Sequence, residues 1–166
     1  MDLIVSPAGI ARWGAARFRC AIGRSGVTRA KREGDGATPI GAWPMRELLF
    51  RPDRVLRPRT RLPARPIAPA DGWCDAPGDA RYNRPVRHPS KASAERLWRG
   101  DRLYDLIVPL GYNDAPPAAG RGSAIFLHVA GRGYAPTAGC VALARRDLLA
   151  VIRGASRRSR VVVLPR

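Results

Sequence analysis

Eight prolines fall between residues 51 and 91: Pro52, Pro58, Pro63, Pro66, Pro69, Pro77, Pro85 and Pro89. Proline lacks an N–H and fixes φ, so this density excludes regular helix and a central strand. The stretch reads as an irregular Pro/Arg-rich excursion. A free linker has little use for large apolar side chains, yet this one carries Trp73, Cys74, Tyr82 and Val86. It is therefore expected to be ordered, to pack on the domain and to border a cleft. Ser93 is placed to cap a short helix running to Trp98.

The flanking regions read as strands. Leu3–Val5 comes first, with Pro7-Ala8-Gly9 as a turn and Ile10–Trp13 after it. Phe18, Cys20 and Ile22 alternate with Arg17, Arg19 and Ala21, the period-two pattern of a half-buried strand. Residues 24–36 are polar and glycine-rich, a loop. Ile40 to Phe50 reads as a further strand that Pro44 demotes to an edge or a bulge. Beyond the excursion, Leu103–Leu110 is an apolar run containing Asp105, and residues 111–114 are a turn. Ala124–Val129 is apolar on both faces, as in a central strand. Residues 144–153 form a helix with Gly154 behind it, and Arg160–Leu164 is a last strand. The pattern predicts a mostly-β fold with short helices and no internal repeat.

A chain of 166 residues suits one domain with a real core. No run approaches the roughly 20 apolar residues of a membrane helix. Three cysteines, none in a Cys-x-x-Cys pair, and two histidines exclude a disulfide scaffold and a zinc finger. The net charge is +17, and arginine supplies all the cations except Lys31 and Lys91. That charge fits a polyanionic partner. It equally fits GC-rich coding, because the arginines are scattered and no nucleic-acid motif is present; no specific nucleic acid is expected. At the N-terminus, Leu3-Ile4-Val5 stops at Ser6-Pro7, too short for a signal-peptide h-region.

The densest chemistry is His128 at the end of an apolar strand, followed by a glycine-containing loop and Thr137-Ala138-Gly139-Cys140-Val141. A free thiol is mostly protonated at neutral pH, and a neighbouring imidazole can take its proton. Gly139 would let a substrate carbonyl approach the backbone, and N–H groups near Cys140 would form an oxyanion hole. The inert alternative is a buried cysteine and a satisfied histidine, since twelve residues separate many unrelated pairs. His88 reads as a surface residue, Cys20 as core, and Cys74 as buried or paired with Cys20. Asn83, Tyr112 and Asn113 are weak candidates for substrate contact. Gly34-Asp35-Gly36 and Gly120-Arg121-Gly122 are not phosphate loops, and no Ser-His-Asp set is present.

His128 with Thr137-Ala138-Gly139-Cys140-Val141 resembles the active-site motif of the L,D-transpeptidase catalytic domain, also called YkuD. A second block, Gly34 to Trp43 with Thr38-Pro39-Ile40-Gly41, resembles the family's Thr-Pro-x-Gly-x-aromatic stretch. The chain departs from the pattern in a short spacer after His128, in Ala138 where a second histidine is common, and in Ala142 where many members carry arginine. Arg132, Arg145 or Arg146 are the available substitutes.

The resemblance implies a β-sandwich with short helices over residues 1–166, read as one catalytic domain. It implies acyl transfer on peptidoglycan stem peptides, with Cys140 as nucleophile, His128 as general acid/base and Gly139 supplying backbone to the oxyanion hole. Thr137, Arg132, Tyr112 and Asn113 are the expected substrate contacts. No cofactor and no metal is expected. Carboxypeptidase or amidase chemistry by the same pair is an alternative, as is an unreactive basic module that binds the envelope or nucleic acid. The +17 charge would further suit an anionic wall polymer or a membrane surface. The implied compartment is the envelope or periplasm, with the cytoplasm open because no signal peptide is visible. The resemblance also implies acylation of the cysteine by carbapenem-type β-lactams.

Overall fold

The computed structural model describes residues 1–165. The chain opens with β1 (Leu3–Ser6), β2 (Ile10–Trp13) and β3 (Ala16–Ala21), then β4 (Val27–Thr28) and β5 (Thr38–Pro39). It continues with β6 (Gly41–Pro44), β7 (Leu48–Phe50), β8 (Ala64–Pro66), β9 (Asp71–Cys74), β10 (Pro85–Arg87) and β11 (Ala94–Arg96). The second half holds β12 (Leu106–Pro109), β13 (Phe126–Val129), β14 (Val141–Leu143), α1 (Arg145–Gly154) and β15 (Arg160–Val163). The fold is mostly β, as the sequence pattern predicts.

Ten strands form one sheet in the order β6-β15-β1-β2-β3-β14-β13-β12-β7-β8. β6 lies at one edge and β7 next to the other, yet only residues 45–47 separate them in the chain. A link that short forces the sheet to curl until its ends meet. The bridge between Met45 and Leu110, and the Arg46 N–H donating to the Pro109 carbonyl at 3.0 Å, mark that junction.

Strand alternation divides the side chains of the central strands between two cores. Leu48, Phe50, Leu106, Val108, Leu127, Val129, Val141 and Leu143 face the larger core, which Leu148, Val151 and Ile152 of α1 complete. Leu49, Ile107, Phe126 and Cys140 face the opposite way, into a smaller core with Trp73, Leu97 and Tyr104.

Residues 51–91 are more regular than their prolines suggest. β9 is the central strand of a three-stranded sheet, β10-β9-β11, inside the stretch from which a central strand was excluded. Asp71-Gly72-Trp73-Cys74 fits between Pro69 and Pro77 without using either ring, while Pro66 and Pro85 sit on edge strands, β8 and β10, where a missing donor costs little. The helix expected from Ser93 is instead β11, with Ala94 opposite Cys74 and Arg96 opposite Gly72. Six residues cannot hold a helix against the pairing an open strand edge offers. The single strand expected from Ile40 to Phe50 is two strands, broken after Pro44 at the sheet junction.

Candidate active site

His128 stands on β13, and Cys140 immediately precedes the parallel neighbour β14, on the same side. His128 registers with Ala142, so Cys140 sits two residues earlier on the face that His128 shares. Strand geometry puts their Cα atoms about 8 Å apart, one diagonal step, close enough for side chains to converge. Both line a cavity of about 550 Å³, together with Thr137, Ala138, Ala124, Ser123 and Tyr104. The remaining polar lining comes from Arg24, Lys31, Glu33, Asp75, Glu95 and Arg99.

The thiol is buried. Its Sγ donates to the Ala124 carbonyl at 3.2 Å and accepts the Phe126 N–H at 3.3 Å. Among the described residues no hydrogen bond joins it to His128. Burial pushes the Cys140 thiol up to about 12, with the Glu95 charge acting in the same direction. Burial also pushes the His128 imidazole down to about 4, against a smaller opposite pull from the Val129 carbonyl. His128 Nδ1 lies 2.9 Å from that carbonyl. A carbonyl only accepts, so Nδ1 carries the proton and Nε2 holds the free lone pair. Burial thus favours a neutral thiol and a neutral imidazole over a charged pair.

The turn before Cys140 is held by Thr137. Its Oγ1 donates to the Cys140 carbonyl at 2.7 Å and accepts the Gly139 N–H at 3.1 Å. The Gly139 N–H, expected in the oxyanion hole, is thus engaged, and Gly139 is not among the residues lining the cavity. Gly139 answers a different need. Its φ is +136°, and a Cβ there would come within 2.9 Å of the Ala37 carbonyl. Ala37 belongs to the Gly34–Trp43 block, so the two sequence blocks touch at this glycine.

The weaker candidates lie elsewhere. Arg132 is exposed on a short 3₁₀ turn, Arg132–Tyr134, outside the cavity lining. Tyr112 packs edge-on against Trp43 at 4.8 Å and donates to the Arg121 carbonyl at 2.6 Å. Asn113, at φ 48°, clamps the loop through the Ala118 and Gly122 carbonyls at 3.0 and 2.9 Å. Tyr112 and Asn113 hold loop structure, as Asn in turns commonly does. Cys20 and Cys74 are buried free thiols, so the open question of their pairing is answered: they do not pair. His88 is half-buried, with Nε2 enclosed and unpartnered, rather than on the surface.

Asn83 plays a larger part than its sequence context indicates. Its Oδ1 accepts from Trp73 Nε1 at 2.9 Å and from the Ala124 N–H at 3.0 Å. Its Nδ2 donates to the Tyr112 and Asn113 carbonyls at 3.0 and 2.7 Å. It thereby fixes Ala124, whose carbonyl receives the Cys140 thiol and whose φ is +52°. Glu33, Asp75, Glu95, Arg99 and Tyr104 also went unread in the sequence. They come from separate segments and carry no local motif.

Comparisons with curated proteins and with solved structures found no match. The family model of the L,D-transpeptidase catalytic domain, YkuD, matches residues 11–163, a span that holds the curled sheet apart from β1 and the first residue of β2, the three-stranded sheet and the whole cavity lining. A match of that extent, over a buried cysteine and histidine on neighbouring strands, places the chain in the L,D-transpeptidase catalytic-domain family, an enzyme family acting on peptidoglycan peptides.

Proposed function

We propose that residues 1–166 form one catalytic domain that performs acyl transfer through a Cys140 thioester, with a peptidoglycan stem tetrapeptide as donor. The observation that carries this reading is the placement of a thiol and an imidazole with a free Nε2 on one face of β13 and β14, inside one cavity. Because both groups rest neutral, the proton must move as the carbonyl arrives. The donor displaces the contact between Cys140 Sγ and the Ala124 carbonyl. Sγ attacks the carbonyl carbon of the L-centre residue while His128 Nε2 takes the thiol proton. The Cys140 N–H receives the developing oxyanion. His128 then returns the proton to the amine of the departing D-alanine, leaving a thioester. An amine on a second stem attacks that thioester, and His128 relays its proton to the departing sulfur. Water in place of the amine gives carboxypeptidase activity through the same steps.

Burial suits this sequence. A desolvated imidazole stays unprotonated through the neutral range and is always ready as a base. A desolvated thiol is protected from adventitious ionisation and oxidation until the substrate enters. The family is typically associated with the cell envelope, and we place this protein there.

The test is incubation with a donor tetrapeptide, with and without an amine acceptor, counting D-alanine, crosslinked product and tripeptide. The reading predicts Cys140-dependent D-alanine release. A folded, reduced protein that releases none, or a Cys140→Ala variant that releases as much, contradicts it.

A further inference from the structure

Three carboxylates line the cavity, Glu33, Asp75 and Glu95, and the chemistry above uses none of them. Glu95 lies on β11 opposite Trp73. The Trp73 ring meets Phe126 edge-on at 5.2 Å, and the Phe126 N–H is the group that donates to Cys140 Sγ. A second path also joins Glu95 to the reacting pair. Its carboxylate accepts a hydrogen bond from the Tyr104 hydroxyl, and the Tyr104 ring packs edge-on against His128 at 5.3 Å. Glu95, Tyr104, His128 and Cys140 all line the same cavity. The cation nearest to Glu95 is Arg99 at 3.9 Å, but that guanidinium is bound more closely to Asp101, at 2.6 Å. Glu95 is therefore a half-buried carboxylate, weakly neutralised and open to the space where a thioester on Cys140 would form.

We propose that Glu95 receives the acceptor's ammonium group, drawing the cationic amine to the Cys140 thioester and taking one of its protons. This rests on the acyl-transfer reading and adds to it a reason for choosing an amine over water.

An ammonium has no lone pair and cannot attack. Glu95 removes one proton, giving a neutral amine and a neutral carboxylic acid. The amine nitrogen forms the new C–N bond to the thioester carbon, and the C–S bond breaks. His128 takes the second amine proton and passes it to the Cys140 sulfur, regenerating the thiol. Glu95 then returns its proton to solvent, and the charges balance. Burial pushes the Glu95 carboxyl up, and Asp75 and Glu33 add to that against the Tyr104 hydrogen bond and Arg99, which makes it a better proton acceptor than an exposed carboxylate. Water is uncharged and is not drawn by the carboxylate, so the electrostatic attraction of Glu95 favours the ammonium.

The experiment is a competition within one reaction. The protein is given the donor tetrapeptide together with glycinamide, largely an ammonium at neutral pH, and hydroxylamine, which is uncharged there. Both amines draw on the same thioester, so the ratio of their products does not depend on the rate of acylation or on the fraction of protein folded. In Glu95→Gln, which keeps an acceptor for the Tyr104 hydroxyl and removes the charge, the glycinamide-to-hydroxylamine ratio should fall by about tenfold or more. In Glu95→Asp, which keeps the charge but withdraws it by one methylene, it should fall by a smaller factor. A ratio that stays at the wild-type value in whichever of these variants is soluble overturns the role of Glu95 and leaves acyl transfer intact. Wild-type protein that releases D-alanine but yields neither amine product overturns the role of Glu95 alone; wild-type protein that releases no D-alanine overturns the acyl-transfer reading, and this proposal with it.

Discussion

The two faces of strands β7, β12, β13 and β14 meet different surroundings. On one face Leu127, Val129, Val141 and Leu143 join a large core that is apolar throughout and sealed by α1. On the other, Phe126 and Ile107 share their layer with Cys140, His128 and Tyr104, and that layer opens onto the cavity. Both faces are buried, but only the second pairs a thiol with an imidazole, each shifted toward neutrality by burial. The first face stabilises the scaffold. The second uses that rigidity to keep a thiol and an imidazole desolvated and aligned.

Substitutions on the two faces should therefore separate stability from chemistry. The largest effect is expected at Cys140. Cys140→Ala should reduce D-alanine release to background while the unfolding midpoint stays close to wild type. Leu127→Ala, one strand position from His128 on the other face, should cost about 2–5 kcal/mol in denaturant unfolding yet leave the activity of the folded fraction largely intact. Equal losses of stability in both variants would erase the distinction.

His128→Ala comes next. Loss of a general base should slow thioester formation by roughly 10²–10⁴-fold, measured as pre-steady-state acylation. The same residue sets a pH signature. Activity needs neutral His128, so it should persist as pH falls through the usual histidine range near 6.5 and fail only near about 4. Stability follows the same shift. Between those two values the unfolded chain binds more protons at this residue than the folded chain does. Stability therefore falls as pH falls through that window, by on the order of 3 kcal/mol. At the alkaline end, Cys140 and Cys20 are both raised to about 12. Their contribution is complete below the ordinary thiol value of 9.0 and is lost as pH rises from there. Denaturant titrations across pH, repeated on His128→Ala, check both signs.

The smallest effect is expected at Thr38, which is fully buried and accepts the Gly23 N–H at 2.8 Å. Thr38→Val keeps the shape and removes the acceptor. It should cost about 1–3 kcal/mol and change turnover only through the fraction folded, since Thr38 ties its own Gly34–Trp43 block to Gly23 and does not line the cavity. A change in turnover per folded molecule would move Thr38 from scaffold to site.

Much of this division is legible in the residues themselves. Ala124–Val129 reads as a central strand because both of its faces are apolar, and β13 does lie between β12 and β14. The helix before Gly154 and the closing valine strand follow from their periodicity. The Cys140 motif and the Gly34–Trp43 block are read separately, and the structure shows why they travel together: Gly139 packs against Ala37. What stayed hidden is non-local. β9 and β11 are short segments whose strand character comes from pairing with each other, not from a pattern of their own. Glu95 and Tyr104 reach the cavity only once that pairing exists. Gly139 was assigned to the oxyanion hole from its neighbourhood, but Thr137 occupies its N–H, a hydrogen bond that spacing does not reveal.

Reactivity of the three thiols tests the central claim most directly. Cys20, Cys74 and Cys140 are 4%, 0% and 8% exposed, so burial alone does not distinguish them sharply; only Cys140 borders the cavity and shares a face with His128. Intact-protein mass spectrometry after incubation with a carbapenem, followed by peptide mapping, reads the outcome. The account predicts one adduct per chain, on Cys140, forming far more slowly in His128→Ala and nearly absent in Cys140→Ser. No adduct on folded, reduced protein, or an adduct on Cys20 or Cys74, would contradict it.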